Sequence, residues 1–355
     1  MKETLLLKVD SENPDAAKIE AAAQIIRKGG LAAFPTETVY GLGADALNPE
    51  AVLALFAAKK RPLDNPPIIH VATANEVYNL AEVVPEKALL LMKNFWPGPL
   101  TLVFKRSSNV PDVTVAGLDT VAVRMPKHKI ALALIKQSRL PIAAPSANLA
   151  GKPSPTTAKH VYEDLNGRID VILDGGATNI GVESTVVDLT VDPPMVLRPG
   201  GTSFEALKRV LGEVRLHPFV QAEVELPLEK ISSPGMKHRH YAPKAEVILV
   251  EGGVAAVTVK IKELTKSYKV KGAKVGILAT DETQGAYSAD VVKSMGSRYT
   301  LDVVARNLFR LLREVDAENV NVILAEGVSS EGIGLAVMNR LRKASGYHIV
   351  KAEQH

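Results

Sequence analysis

Cations and small polar groups recur at three separated places in this chain, each beside an apolar run. The first is Pro35-Thr36-Glu37-Thr38-Val39-Tyr40-Gly41-Leu42-Gly43, where hydroxyls and glycines follow the apolar stretch 31–34. It reads as a strand-to-loop turn whose glycines permit close approach of a ligand, or as an ordinary glycine turn. The second is Lys59-Lys60-Arg61-Pro62, followed by Asn65-Pro66 and Ile68-Ile69-His70. An arginine grips phosphate bidentately, and a lysine acts as a point charge on a leaving pyrophosphate. Cations at a helix C-terminus account for Lys59 and Lys60 equally well, and for Arg61 with Asn65 less well. The third is Ala143-Ala144-Pro145-Ser146-Ala147-Asn148, just past a strand end, where open α/β sheets bind ligands.

Together these runs describe a pocket that holds phosphate without a P-loop. The first glycine of GxxxxGK[ST] is missing, and Pro153 follows Lys152. Ser146 does not sit in a GxSxG elbow, so Ser146 and Asn148 read as hydrogen-bonding groups. His70 suits a structural role as well as a binding one. Arg124 alternates with Val123 on a strand, facing either a pocket, where it would meet a carboxylate, or solvent. Ser184 and Arg198 mark two more polar points at strand edges. His238 and His240 have no third metal ligand nearby. Arg239 and Tyr241 on the same connecting segment suit a lid over a nucleotide. Gly332-Ile333-Gly334 lacks the third glycine of a dinucleotide fingerprint.

The elements that must position these groups are legible in outline. Asn13-Pro14-Asp15 reads as a helix cap, with Pro at the first helical position. Ile19, Ala22, Ala23 and Ile26 form the helix's apolar stripe, and Gly29-Gly30 stops it. Asn48-Pro49-Glu50 opens a second helix with Val52, Leu53 and Phe56 facing inward. Strands are expected over 31–34, 68–72, 100–105, 120–125, 142–144, 170–173, 184–189 and 195–198, and helices over 86–94, 129–137, 157–166 and 203–211. This is a twisted, mixed α/β sheet, assigned to residues 1–212. Pro218, Pro227, Pro234 and Pro243 interrupt residues 213–244, which read as a linker and lid. Strands over 247–250, 275–279 and 320–325 then alternate with helices over 254–264 and 301–314, before a last helix over 335–343. That is a small Rossmann-like doubly wound domain across 245–355.

Composition narrows the function classes. With 355 residues, 46% of them hydrophobic, the chain has material for two domains with substantial cores. Cysteine is absent, which removes disulfides, thiolate metal sites and a cysteine nucleophile, and makes a reducing cytoplasm the expected location. No apolar run has the length of a membrane span or a secretory signal. The net charge of +4, from 43 basic and 39 acidic side chains, does not by itself argue for nucleic acid.

Taken in order, the runs resemble the L-threonylcarbamoyladenylate synthases, whose catalytic domain is called YrdC-like. The resemblance rests on residues 35–42, Lys59-x-Arg61-Pro62 with Asn65-Pro66, Val123-Arg124-Met125-Pro126, Pro145-Ser146-Ala147-Asn148, Ser184-Thr185 and Arg198-Pro199-Gly200. His238-Arg239-His240-Tyr241-Ala242-Pro243 and residues 334–340 match the family's longer, two-domain form. Lys60 departs from the glycine that many members carry between the two cations. The resemblance implies synthesis of threonylcarbamoyl-AMP from L-threonine, bicarbonate or carbon dioxide, and ATP, with release of pyrophosphate. A separate transferase complex would then modify the adenosine next to the tRNA anticodon. The resemblance implies that Thr36, His70, Arg124 and Ser184 hold threonine, with Arg124 on its α-carboxylate. Lys59, Arg61 and Asn65 would hold the ATP phosphates, Lys59 and Arg61 being the catalytic pair. Thr120, Ser146, Asn148, Ser154 and Arg198 would complete the nucleotide side, with Tyr241 closing over it. Mg2+ would accompany ATP, with no dedicated metal cage in the chain. Direct tRNA binding stays open, and the rival reading is an RNA-binding regulatory module using the same basic cleft. The family's hydrogenase-maturation cousins carry upstream zinc-finger modules, for which this chain has no cysteines.

Overall fold

The computed structural model describes residues 3–223 and 241–353. Its contacts divide the chain into two compact units. The first holds residues up to 150 and 154–220. The second holds Gly151–Pro153, 221–223 and the described residues from 241 on. No helix among the described residues is long and apolar enough to cross a membrane.

The first unit is built on an eleven-stranded mixed sheet. In spatial order its strands are Leu5–Lys8, Val171–Asp174, Ala32–Pro35, Tyr40–Asp45, Ile142–Ala143, Ile69–His70, Thr120–Arg124, Leu100–Lys105, Thr185–Asp188, Met195–Arg198 and Arg215–Leu216. Period-2 alternation sends neighbouring side chains to opposite faces. Ala32 and Phe34 pack with Ile26 and Leu134 on one side, while Ala33 joins Leu42, Leu55 and Val161 on the other. Both faces are thus covered by helices, as the mixed α/β reading requires.

Several local expectations are corrected. The helix Ala16–Arg27 is capped by Asp15, whose carboxylate accepts from the Ala17 and Lys18 N–H groups, and not by Asn13. Residues 40–43, read as part of a turn, fall in the strand Tyr40–Asp45, which pairs antiparallel with Ala32–Pro35. Their glycines serve packing between strands. A Cβ on Gly43 would lie 2.8 Å from both Ile142 Cγ2 and Phe34 Cε1. In the helix Pro49–Lys59, capped by Asn48, Leu53 is 45% exposed, and Leu55 is buried instead. The inward stripe runs Val52, Leu55, Phe56, Lys59 at helical spacing, so it carries Lys59 into the interior. Arg215–Leu216 pairs parallel with Met195–Val196, so the sheet continues into the stretch read as linker; two residues are too few to show alternation.

The second unit has a five-stranded, all-parallel sheet in the order Val291–Ser294, Val275–Ala279, Val322–Glu326, Glu246–Gly252, Ile349–Ala352. The two outer strands are not expected from the sequence: each carries only a pair of adjacent apolar residues, and none of its residues is fully buried. The helix Leu301–Ala317 buries Val304, Leu308, Phe309, Leu312 and Val315, the stripe of a doubly wound unit. At the carboxyl end of the central strand the fully buried Glu326 has both oxygens engaged, by Tyr287 Oη on one side and by Thr280 and Arg298 on the other.

Candidate functional site

Arg124 is the most enclosed of the candidate cations on the sheet, 4% exposed at the end of Thr120–Arg124. Its Nε donates to the Gly98 carbonyl at 3.2 Å, and its Nη1 donates to Thr38 Oγ1 at 3.0 Å. Nη2 lies 2.7 Å from Glu37 Oε2. The tight loop after Ala32–Pro35 supplies Glu37 and Thr38. Thr36 Oγ1 donates to the Val39 carbonyl at 2.7 Å and meets Thr38 Oγ1 at 2.8 Å, fixing both hydroxyls. A guanidinium has five N–H groups, so donors are left over for a ligand carboxylate.

His70 is the paired neighbour of Arg124 across the strands, and is 3% exposed. Burial, reinforced by the Arg124 charge, pushes its pKa down to about 3, so the ring is neutral. Nδ1 lies 3.2 Å from the Ile68 carbonyl, an obligate acceptor, so Nδ1 carries the hydrogen and Nε2 is left as an acceptor. The folded pKa lies below the unfolded one, so the unfolded chain binds more protons between about pH 6.5 and 3. Stability is full above that window and falls as pH drops through it. His70→Gln is expected to flatten this dependence, recovering a few kcal/mol at the acid end in urea melts. An unchanged pH profile would contradict the assignment.

Ser184 and Arg198 come together beside this group. Arg198 donates to the Ser184 carbonyl at 3.0 and 3.1 Å and to its hydroxyl at 3.2 Å. The Ser184 hydroxyl also meets Thr101 Oγ1 at 2.8 Å. Ser154 donates to Glu183 at 2.7 Å, one residue along. The Gly181 N–H donates to the Thr38 carbonyl at 3.1 Å, and so ties this segment to the Thr36–Val39 loop.

Lys59 is 1% exposed, and its ammonium donates to the Ser146 carbonyl and, at 2.5 Å, to the Asn148 carbonyl. Ser146 Oγ donates to Asn148 Oδ1 at 2.6 Å, so one turn carries both polar side chains over the lysine. Lys59 therefore holds this turn in place. Lys59→Met is expected to cost about 2–3 kcal/mol of unfolding free energy through the lost charge-assisted bonds, and an unshifted urea midpoint would contradict it.

Arg61 is half-buried. It donates from Nε to the Asn65 carbonyl at 2.9 Å and from Nη2 to the Pro66 carbonyl at 3.2 Å, with its Cζ 6.0 Å from the Phe56 ring centre. Thr120 starts the strand that Arg124 ends, about 13 Å away at strand spacing. It lines a small cavity with Pro66 and Pro67.

Tyr241 belongs to the second unit, where its ring stacks on Phe309 at 5.1 Å and lies 5.5 Å from the Arg340 guanidinium. His238, Arg239 and His240 lie outside the described residues. Three contributors were not singled out from sequence: Glu37, Thr38 and Thr101. The first two sit inside a motif that was noted. Thr101 is the odd residue in a strand whose Leu100, Leu102 and Phe104 enter one core, an alternation that marks its opposite face.

The family model described as "Telomere recombination" (Sua5_yciO_yrdC) matches residues 24–200, and the one described as "Threonylcarbamoyl-AMP synthase, C-terminal domain" matches residues 202–346. The threonylcarbamoyl-AMP synthase of Pyrococcus abyssi is 56% identical over 98% of this chain and 99% of its own length. That of Bacillus subtilis is 48% identical over 96% and 97%. The crystal structure of P. abyssi Sua5 complexed with L-threonine superposes with a TM-score of 0.94 at 55% identity, covering 99% of this chain and all of that one. Escherichia coli YciO aligns at 28% identity and a TM-score of 0.51 over 56% of this chain, the share expected of a relative of the first unit. Likeness that runs through both units in order, at such identity, leaves one conclusion: the chain belongs to the threonylcarbamoyl-AMP synthase family.

Proposed function

We propose that the chain is a nucleotidyltransferase that makes threonylcarbamoyl-AMP from L-threonine, bicarbonate or carbon dioxide, and ATP. Pyrophosphate leaves, and the product serves cytoplasmic modification of the adenosine beside the tRNA anticodon. One observation carries the reading. Arg124, a neutral His70 and the hydroxyls of Thr36, Thr38 and Ser184 gather with Arg198, with no nucleophile–base pair among them. Such a set binds and aligns a polar acid. An N-carboxylated threonine is already an anionic nucleophile, so in-line attack on the α-phosphorus needs alignment and charge neutralisation more than proton transfer. Arg124 would hold the α-carboxylate, the His70 Nε2 acceptor would suit the side-chain hydroxyl, and Arg61 with Lys59 and Asn65 would face the phosphates.

Mg2+ fits as an ion carried on the ATP phosphates, where it supplies charge neutralisation when bound. The described residues gather no group of three or more His, Asp or Glu able to hold a metal. Cations buried as deeply as Arg124 and Arg198 suit a small ligand better than a nucleic-acid backbone, which favours the enzyme over the RNA-binding reading. The test is pyrophosphate release with threonine and bicarbonate omitted in turn. Release is expected to require both, and release indifferent to threonine would refute the proposal.

A further inference from the structure

One buried charge of this site, Glu37, has an ion pair to Arg124 and no hydrogen bond. Glu37 is 6% exposed, and neither of its carboxylate oxygens makes a hydrogen bond. Its Oε2 approaches Arg124 Nη2 to 2.7 Å, but the alignment is too poor for a hydrogen bond, and Nη2 is itself unsatisfied. A fourth unsatisfied buried atom, His128 Nδ1, belongs to a ring that senses the Glu37 charge. Burial lowers the pKa of that ring, as it does for His70, so neither imidazole is a cation competing for Glu37. Buried polar groups are nearly always paired. A carboxylate and a guanidinium nitrogen that share an ion pair but leave their hydrogen-bonding capacity unfilled mark a place suited to a ligand carrying both a donor cation and an acceptor anion.

An α-amino acid is such a ligand, with its two charges on neighbouring atoms as Glu37 and Arg124 are neighbours. A carboxylate alone would enter against the Glu37 charge, whereas a zwitterion balances the pair. We infer that Glu37 accepts the α-ammonium of the amino-acid substrate, and so selects α-amino acids over acids that lack the amine. This rests on the reading that Arg124 takes the α-carboxylate. It adds a specificity residue to that site.

The test compares two ligands on the full chain at pH 7 by calorimetry or ligand-observed NMR. One is L-threonine; the other is (R)-3-hydroxybutyrate, which is threonine without its amine. The wild type is expected to prefer threonine by about 100-fold. Glu37→Gln is expected to lose about 10- to 100-fold in threonine affinity, the range for a hydrogen bond to a charged group. Its affinity for 3-hydroxybutyrate should hold or rise. Threonine affinity retained within about twofold would overturn the proposal. So would equal loss of both ligands, which would make Glu37 only a prop for Arg124. If Glu37→Gln does not fold, Glu37→Asp keeps the charge and must still prefer threonine over 3-hydroxybutyrate; loss of that preference overturns the proposal equally. A wild type that binds neither ligand would instead bring down the amino-acid reading itself.

Discussion

Arg61→Ala is expected to lower pyrophosphate release by about 100- to 1,000-fold, the cost of removing one charged donor from a developing phosphate charge. The circular dichroism spectrum should stay native. Arg61 is the suitable cation for this test because it is half-buried and donates to the nearby Asn65 and Pro66 carbonyls, close to it in the chain. Lys59 also anchors the Ser146–Asn148 turn, so its loss mixes folding with catalysis. ATP affinity should weaken along with turnover, while threonine affinity measured without nucleotide should hold. Wild-type turnover in a folded Arg61→Ala variant would place the phosphates elsewhere.

Arg124→Met should be the most damaging change at the amino-acid end. It leaves Glu37 buried with no counter-charge, a situation that costs about 3–5 kcal/mol. It should also raise the KM for threonine by about 100-fold or more, since a buried carboxylate partner is lost. Folding and binding can be separated by the double variant Arg124→Met with Glu37→Leu, which removes both charges from the interior. Replacing a buried pair with apolar side chains is often neutral for stability, so the double variant should melt near the wild type and remain inactive. Recovery of activity along with stability would show that Arg124 acts only as a structural partner of Glu37.

Much of this site could be read before any fold was known, because its pieces lie in short runs where a strand ends and a hydroxyl or cation follows. Ser184 and Arg198 were singled out in that way, and the structure brings them within 3.2 Å. Contacts between runs were not legible. Arg124 reaches Thr38 across 86 positions and Thr101 reaches Ser184 across 83, pairings set by the order of strands in the sheet. The glycines of residues 41–43 misled because glycine signals a turn locally. What requires glycine at position 43 is the approach of Phe34 and Ile142 from neighbouring strands. Lys59 reads as a phosphate-binding cation or as a cation at a helix C-terminus, and the Val52–Leu55–Phe56 stripe rotates it inward, where carbonyls replace water.

The account depends on threonine, the bicarbonate carbon and AMP being joined in one active site. The most direct measurement is mass spectrometry of the product formed from ATP, L-threonine and 13C-labelled bicarbonate. The expected result is one compound carrying the threonine, the 13C atom and AMP, formed in step with pyrophosphate. Nucleotide product consisting only of AMP or ADP, with no labelled carbon attached when all three substrates are present, would contradict it.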